Sequence, residues 1–172
     1  MRRLKKLGKK VQVISFPDYS TRVGKLIKDY LEDKTDFNPE VRQCLYVANR
    51  WERVQEIESW INDGYIVLAD RYVPSGLVYG LANGLELEWM LNLEKGLPIP
   101  NLIIVVDVAV NIAFDRETSR DVYERNKPFL TRVRQEYLRL AKEYNWAVVD
   151  GERAKHEVSN QIWELVTRIL DS

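Results

Sequence analysis

Tyr65-Ile-Val-Leu-Ala-Asp-Arg-Tyr72 opens with five apolar residues and ends in a carboxylate, a guanidinium and a phenol. The run Tyr65–Ala69 alternates little, contains β-branched residues and follows the stop signal Asp63-Gly64. That pattern predicts a strand buried on both faces, as in parallel α/β sheets. In such sheets ligands bind beyond the carboxyl ends of the strands. Asp70 and Arg71 would stand at that end, where they suit a metal-bound, phosphate-bearing substrate, because guanidinium forks match phosphate oxygens in two-point geometry. An Asp-Arg ion pair capping the strand is the alternative.

The flanking sequence extends the pattern. Val11-Gln-Val-Ile-Ser15 is a short β-branched strand broken by Phe16-Pro17. Thr21 to about Asp33 has helical spacing in Val23, Leu26, Ile27, Tyr30 and Leu31. Asn38-Pro39 opens one long helix to about Asn62, with Gly64 beyond its end. Helical segments are expected near 75–82 and 86–94, a second fully buried strand at 102–107, and helices at 110–119, 129–144 and 156–170. Trp146-Ala-Val-Val149 is the last strand, and Leu4-Lys-Lys-Leu-Gly8 reads as the tail of a helix ending at glycine. Strands alternating with helices predict βαβ units and a parallel sheet.

The 172 residues fit one compact domain, 45% apolar and 30% charged, enough for a sizeable core. The 26 basic residues balance 26 acidic ones, which argues against the basic footprint of a duplex nucleic-acid binder. No apolar stretch approaches the roughly 18 residues that span a bilayer, and the basic stretch Met1–Lys10 lacks the apolar segment of a secretory signal. One cysteine, Cys44, cannot form an internal disulfide, and no Cys/His cluster offers a zinc site. A cytoplasmic, soluble protein with neither nucleic-acid nor membrane partner is expected. Cys44 reads as a small core residue, the five tryptophans as packing residues, and His156 as exposed and idle.

Several fragments then form one constellation. Phe16-Pro17-Asp18 ends a strand; Tyr46 and Arg50, in Tyr46-Val-Ala-Asn-Arg50-Trp-Glu, share a helix face. Asp70-Arg71-Tyr72 is followed by Ser75-Gly76 and Tyr79, Tyr123-Glu124 lies in an arginine-bearing loop, and Val148-Val-Asp150 ends the last strand. In order and spacing these pieces resemble the thymidylate kinase family, over essentially the whole chain. Taken singly, Tyr46 and Arg50 read as an amphipathic helix edge and the arginine cluster as a solvated face; the joint pattern favours the site.

The resemblance implies an α/β fold, a parallel sheet of the P-loop-kinase type flanked by helices. It implies a single nucleoside-monophosphate-kinase-like domain over residues 1–172 with a lid near 116–128, and phosphoryl transfer from ATP to dTMP. Tyr46 would stack on the base and Arg50 donate to a pyrimidine carbonyl, with Phe16 and Leu31 walling the pocket. Gly76 and Tyr79 would pass beneath base and sugar, and Tyr123 would lie near the deoxyribose. Arg71 would bind phosphate between donor and acceptor, and Asp70 would act on Mg²⁺ through water. Arg116, Arg120 and Arg125 are lid candidates, with Arg116 also flanking the adenine and Arg153 a weaker adenine contact. A homodimer is likewise implied by the resemblance.

The chain departs from the family in two places. The family begins with a strand, the loop G-x-x-G-x-G-K-[ST] and a helix, and no Gly-Lys-Ser/Thr occurs here. That loop cradles donor phosphates through backbone N–H groups and a lysine. The family's spatial strand order, 2-3-1-4-5, then lacks its first, central member. Two outcomes are open: a true start upstream, which the intact remaining motifs favour, or closure of the flanking strands. The second departure is Tyr19, where many members carry an arginine reaching the acceptor phosphate. The expected function is thymidylate kinase, inactive as this chain. The alternatives are a non-catalytic dTMP/dTTP-binding paralogue and a kinase for another deoxynucleoside monophosphate.

Overall fold

A computed structural model describes residues 1–116, 121–123 and 125–170. In order, its elements are α1 (Arg2–Lys6), β1 (Val11–Ser15), α2 (Arg22–Leu31), α3 (Pro39–Trp51), α4 (Val54–Asn62), β2 (Ile66–Asp70), α5 (Val73–Ala82) and α6 (Leu87–Glu94). There follow β3 (Ile104–Asp107), α7 (Val110–Arg116), α8 (Lys127–Glu143), β4 (Ala147–Asp150) and α9 (Lys155–Leu170). They fall into two compact units, Met1–Pro98 and Ile99–Ser172. Among the described residues no helix is long and apolar enough to cross a membrane.

Local chemistry accounts for the helix starts. The Thr21 hydroxyl accepts from Gly24 N–H at 2.9 Å to cap α2, and the Asn38 side chain accepts from Val41 N–H at 2.8 Å ahead of Pro39. Asn126 does the same for α8, accepting from Phe129 N–H at 3.0 Å. Such caps satisfy N–H groups that the first turn leaves without helical partners. Gly64, at φ +75°, lets the chain reverse out of α4 into β2 without steric cost.

In the first unit β1 and β2 are parallel, in register from Val11 beside Ile66 to Ser15 beside Asp70. Ile14, Phe16, Val54, Ile57, Tyr72 and Leu97 form its buried cluster, with Trp60, Val67 and Val73 packed against it. Around this, α3 packs on α2, α5 and α6, while α4 lies on β2. In the second unit β3 and β4 are parallel, Ile104 beside Ala147 through Asp107 beside Asp150. There α8 covers both strands and α9 covers β4.

Four expectations need correction. The strand at 66–70 is not buried on both faces: residues 66–68 are half-buried, and Ala69 and Asp70 are exposed. Likewise Val106, expected in a fully buried strand, is 47% exposed. Each strand belongs to a two-stranded sheet, so one edge and part of a face stay open. The long helix breaks at Glu52-Arg53 into α3 and α4, where Arg53 turns its guanidinium onto Asp18 at 2.9 Å and Glu56 at 3.0 Å. The break lets Val54 and Ile57 reach the cluster around Ile14 and Phe16. Finally, Cys44 is exposed rather than a core residue.

Candidate functional site

The loop leaving β1 is held by one amide. Asn49 of α3 is 1% exposed, and its side-chain oxygen accepts from Asp18 N–H at 2.8 Å. Its nitrogen donates to the Asp18 carbonyl at 3.2 Å, the Thr21 hydroxyl at 2.8 Å and Glu52 at 3.1 Å. The start of α2 presses on the same loop, since a Cβ on Gly24 would lie 1.8 Å from the Asp18 carbonyl oxygen. Partial burial works to raise the Asp18 carboxyl. Hydrogen bonds from the Ser20 hydroxyl and N–H, at 2.6 and 2.9 Å, and the Arg53 charge bring it below the usual carboxylate range.

That loop meets the end of β2. Phe16 N–H donates to the Asp70 carbonyl at 3.0 Å, and the Phe16 ring lies 5.5 Å from the Tyr72 ring. Arg71 is exposed in the left-handed backbone region, φ +62°, an arrangement that costs an L-residue about 1–2 kcal/mol. Its guanidinium stands 5.8 Å from the centre of the Tyr79 ring. Helix α5 starts immediately afterwards, with Pro74 in its first turn.

Beneath α5 lies a buried ion pair. Arg50 is 3% exposed; its Nε donates to one Glu94 oxygen at 3.0 Å and its Nη2 to the other. Gly76 roofs the pair: a Cβ there would meet Arg50 Nη2 at 2.9 Å, Glu94 Oε1 at 3.2 Å and Arg50 Nη1 at 3.3 Å. Gly80 is equally committed, its missing Cβ replaced by the Met90 sulfur at 2.1 Å. Burial pushes the Glu94 carboxyl above the ordinary carboxylate range, against the pull of the Arg50 charge and hydrogen bonds. Burial also raises the Tyr72 hydroxyl, to about 12, with Arg50 lowering it and Glu94 and Glu58 adding to the rise.

The expected residues of the first unit are thus joined by these contacts: Phe16 to Asp70 and Tyr72, Arg71 to Tyr79, and Arg50 to Gly76. Tyr46 is half-buried one turn before Arg50 on α3. Leu31 is buried at the last position of α2, an element packed on α3. In the second unit Tyr123 is buried and stacked on Phe129, with centroids 4.9 Å apart, and Arg125 is exposed. Arg116 closes α7, its side chain outside the described residues, as is Arg120 altogether. A cavity of about 470 Å³ lies where β4 runs into α9, lined by Gly151, Arg153, Lys155, Val158, Ser159 and Ile162. The Arg153 guanidinium at its edge donates to Asp150 at 3.1 Å.

Two site residues were missed from sequence: Asn49 and Glu94. Asn49 stood inside a quoted motif, where a polar residue beside Val47 gave a weak signal of burial. Glu94 gave none, because its partner lies 44 residues away. Among the described residues no group of three or more metal-ligating side chains gathers. The exposed carboxylate of Asp70 fits the outer shell of a hydrated Mg²⁺, an ion that keeps several waters and takes only one or two protein carboxylates.

The thymidylate kinase family model matches residues 1–162. A thymidylate kinase from Schizosaccharomyces pombe is 34% identical over 166 residues, covering 93% of this chain and 79% of that protein. One from Danio rerio is 34% identical over 167 residues, covering 95% and 78%. The solved thymidylate kinase of Candida albicans superposes with a TM-score of 0.81 at 31% identity, over 92% of this chain and 80% of that one. The chain belongs to the thymidylate kinase family.

Proposed function

We propose that the chain binds dTMP at the carboxyl ends of β1 and β2, as the phosphoryl acceptor of a thymidylate kinase. The observation that carries this reading is the chain of contacts linking Phe16, Asp70, Arg71 and Tyr79, with Arg50 beneath Gly76 on the same α5. Tyr46 offers a ring for the base, a contact worth roughly 1–3 kcal/mol by analogy with stacked nucleic-acid bases. Arg50 donates to a pyrimidine carbonyl. Arg71, exposed and held over Tyr79, takes the phosphate, and phosphoryl transfer depends mainly on such positioning and charge neutralisation. Mg²⁺, when bound near Asp70, would neutralise charge shared between donor and acceptor phosphates.

The donor side reads differently. No Gly-Lys-Ser/Thr occurs in these 172 residues, so no loop of the phosphate-cradling type is supplied by them. Losing even one preorganised donor costs about 10²–10³ in turnover. This favours a second reading, in which the chain holds dTMP or dTTP without turning it over. Calorimetry with dTMP, beside an assay of ADP release from ATP, tests both. Binding with turnover at background is expected. Absence of dTMP binding would overturn the whole reading, and robust turnover would overturn the donor-side part.

A further inference from the structure

The buried partner of Arg50 goes beyond the reading above, although it rests on Arg50 facing the nucleobase. We propose that Glu94 is a positioning residue that sets nucleobase specificity, by fixing the Arg50 guanidinium and cancelling its charge.

A guanidinium has five N–H groups in a rigid fork. Glu94 takes one from Nε and one from Nη2. Among the described residues nothing accepts from Nη1. Because Glu94 holds two points of a planar group, the remaining donor edge has one orientation. Gly76 closes the opposite freedom, since both Nη atoms lie within 3.3 Å of where its Cβ would be. The donor edge is thereby presented by two elements, α3 and α6, with α5 as roof.

A buried lone guanidinium would attract any anion, phosphate included. Paired with Glu94, at 3% and 4% side-chain exposure, it is neutral overall and still donates, so it suits an uncharged carbonyl. Arg71 is exposed, with its guanidinium standing over Tyr79. The two arginines are therefore differentiated by Glu94: one for the base carbonyl, one for the phosphate. Removal of the Glu94 charge should let Arg50 rotate and compete for anions.

The test compares dTMP with 5-methyl-dCMP, which replaces the carbonyl at position 4 with an amine and keeps the methyl. Calorimetry gives both affinities for the wild type, Glu94→Gln and Glu94→Asp, with thermal melts alongside. The wild type should prefer dTMP by at least tenfold, and both variants should bring that ratio within about threefold. Inorganic phosphate should also become a better competitor of dTMP in Glu94→Gln. A variant that melts earlier but keeps the wild-type ratio would make Glu94 merely structural and overturn the inference. If Glu94→Gln does not fold, Glu94→Asp decides, because it retains the charge but moves the carboxylate back by one methylene. Wild-type protein that binds neither ligand, or both equally, would instead overturn the dTMP reading, and the inference with it.

Discussion

The side chain of Asn49 pairs with the backbone of Asp18 in both directions, accepting from its N–H at 2.8 Å and donating to its carbonyl at 3.2 Å. The amide behaves as a short piece of strand laid against the loop after β1. Replacing it with alanine would leave the part-buried Asp18 N–H without its acceptor and remove a donor from the Thr21 hydroxyl, while the Asp18 carbonyl would keep the Thr21 hydroxyl and N–H. Asn49→Ala should therefore lower stability by about 1–3 kcal/mol, the scale of one unsatisfied buried polar group. Asn49→Asp should be no better, since it loses the donors and adds charge beside Asp18 and Glu52. Denaturant melts of the two variants check this, and a loss under 1 kcal/mol for alanine would mean the loop is held by something else.

Arg50 and Glu94 allow stability and binding to be separated. Arg50→Ala leaves Glu94 buried without its partner, a change that typically costs about 3–5 kcal/mol. It should also weaken dTMP by about 1–3 kcal/mol, the worth of a charge-assisted hydrogen bond. The double variant Arg50→Met with Glu94→Leu should recover most of the stability, as apolar replacements of buried pairs often do. It should not recover dTMP affinity. Recovery of both in calorimetry would place Arg50 outside the nucleotide pocket.

Much of this architecture was legible because β-branched runs, Asn-Pro and Gly punctuation are local signals. The four strands among the described residues, and their parallel character, follow from Val11–Ser15, the run ending in Asp70, Ile104–Asp107 and Ala147–Asp150. The break between α3 and α4 was not legible, because it depends on Arg53 meeting Asp18 across 35 positions of chain. The exposure of Ala69, Val106 and Val148 was missed for a similar reason: apolar content reports what a strand could bury, not how many strands stand beside it. In the site, Phe16, Arg71, Gly76 and Tyr79 carried motif signals. Glu94 and Asn49 carry theirs only through space, in partners 44 and 31 residues distant.

Arg71 combines an exposed guanidinium with a backbone that an arginine does not favour, φ +62°. Residues held this way cluster at functional sites, where surrounding structure tolerates the strain. Glycine adopts the same φ without steric cost, though it gives up about 0.5–1 kcal/mol in chain entropy. Arg71→Gly should thus melt no lower than the wild type, while Arg71→Ala retains the strain and melts lower than Arg71→Gly. Both should weaken dTMP at least tenfold, a loss of about 1.4 kcal/mol, with little effect on thymidine, which lacks the phosphate. Equal losses for nucleotide and nucleoside would show that Arg71 does not serve the phosphate.

Tyr72 supplies a prediction in pH. Its hydroxyl is buried beside the Arg50–Glu94 pair and has no hydrogen-bond partner among the described residues. Burial raises the group to about 12, whereas an unfolded tyrosine ionises near 10. Between those values the folded chain retains a proton that the unfolded chain releases, so stability falls as pH rises. The contribution is fully present below about pH 10 and is lost towards pH 12, on the order of 2 kcal/mol. Tyr72→Phe removes the titration and the unsatisfied hydroxyl together. At pH 7 it should match or exceed wild-type stability by up to about 1 kcal/mol, and its advantage should widen between pH 10 and 12. Urea melts of the two proteins at pH 7, 10 and 11.5 measure the difference directly. A constant gap across that range would mean the hydroxyl reaches solvent and ionises normally in the folded chain.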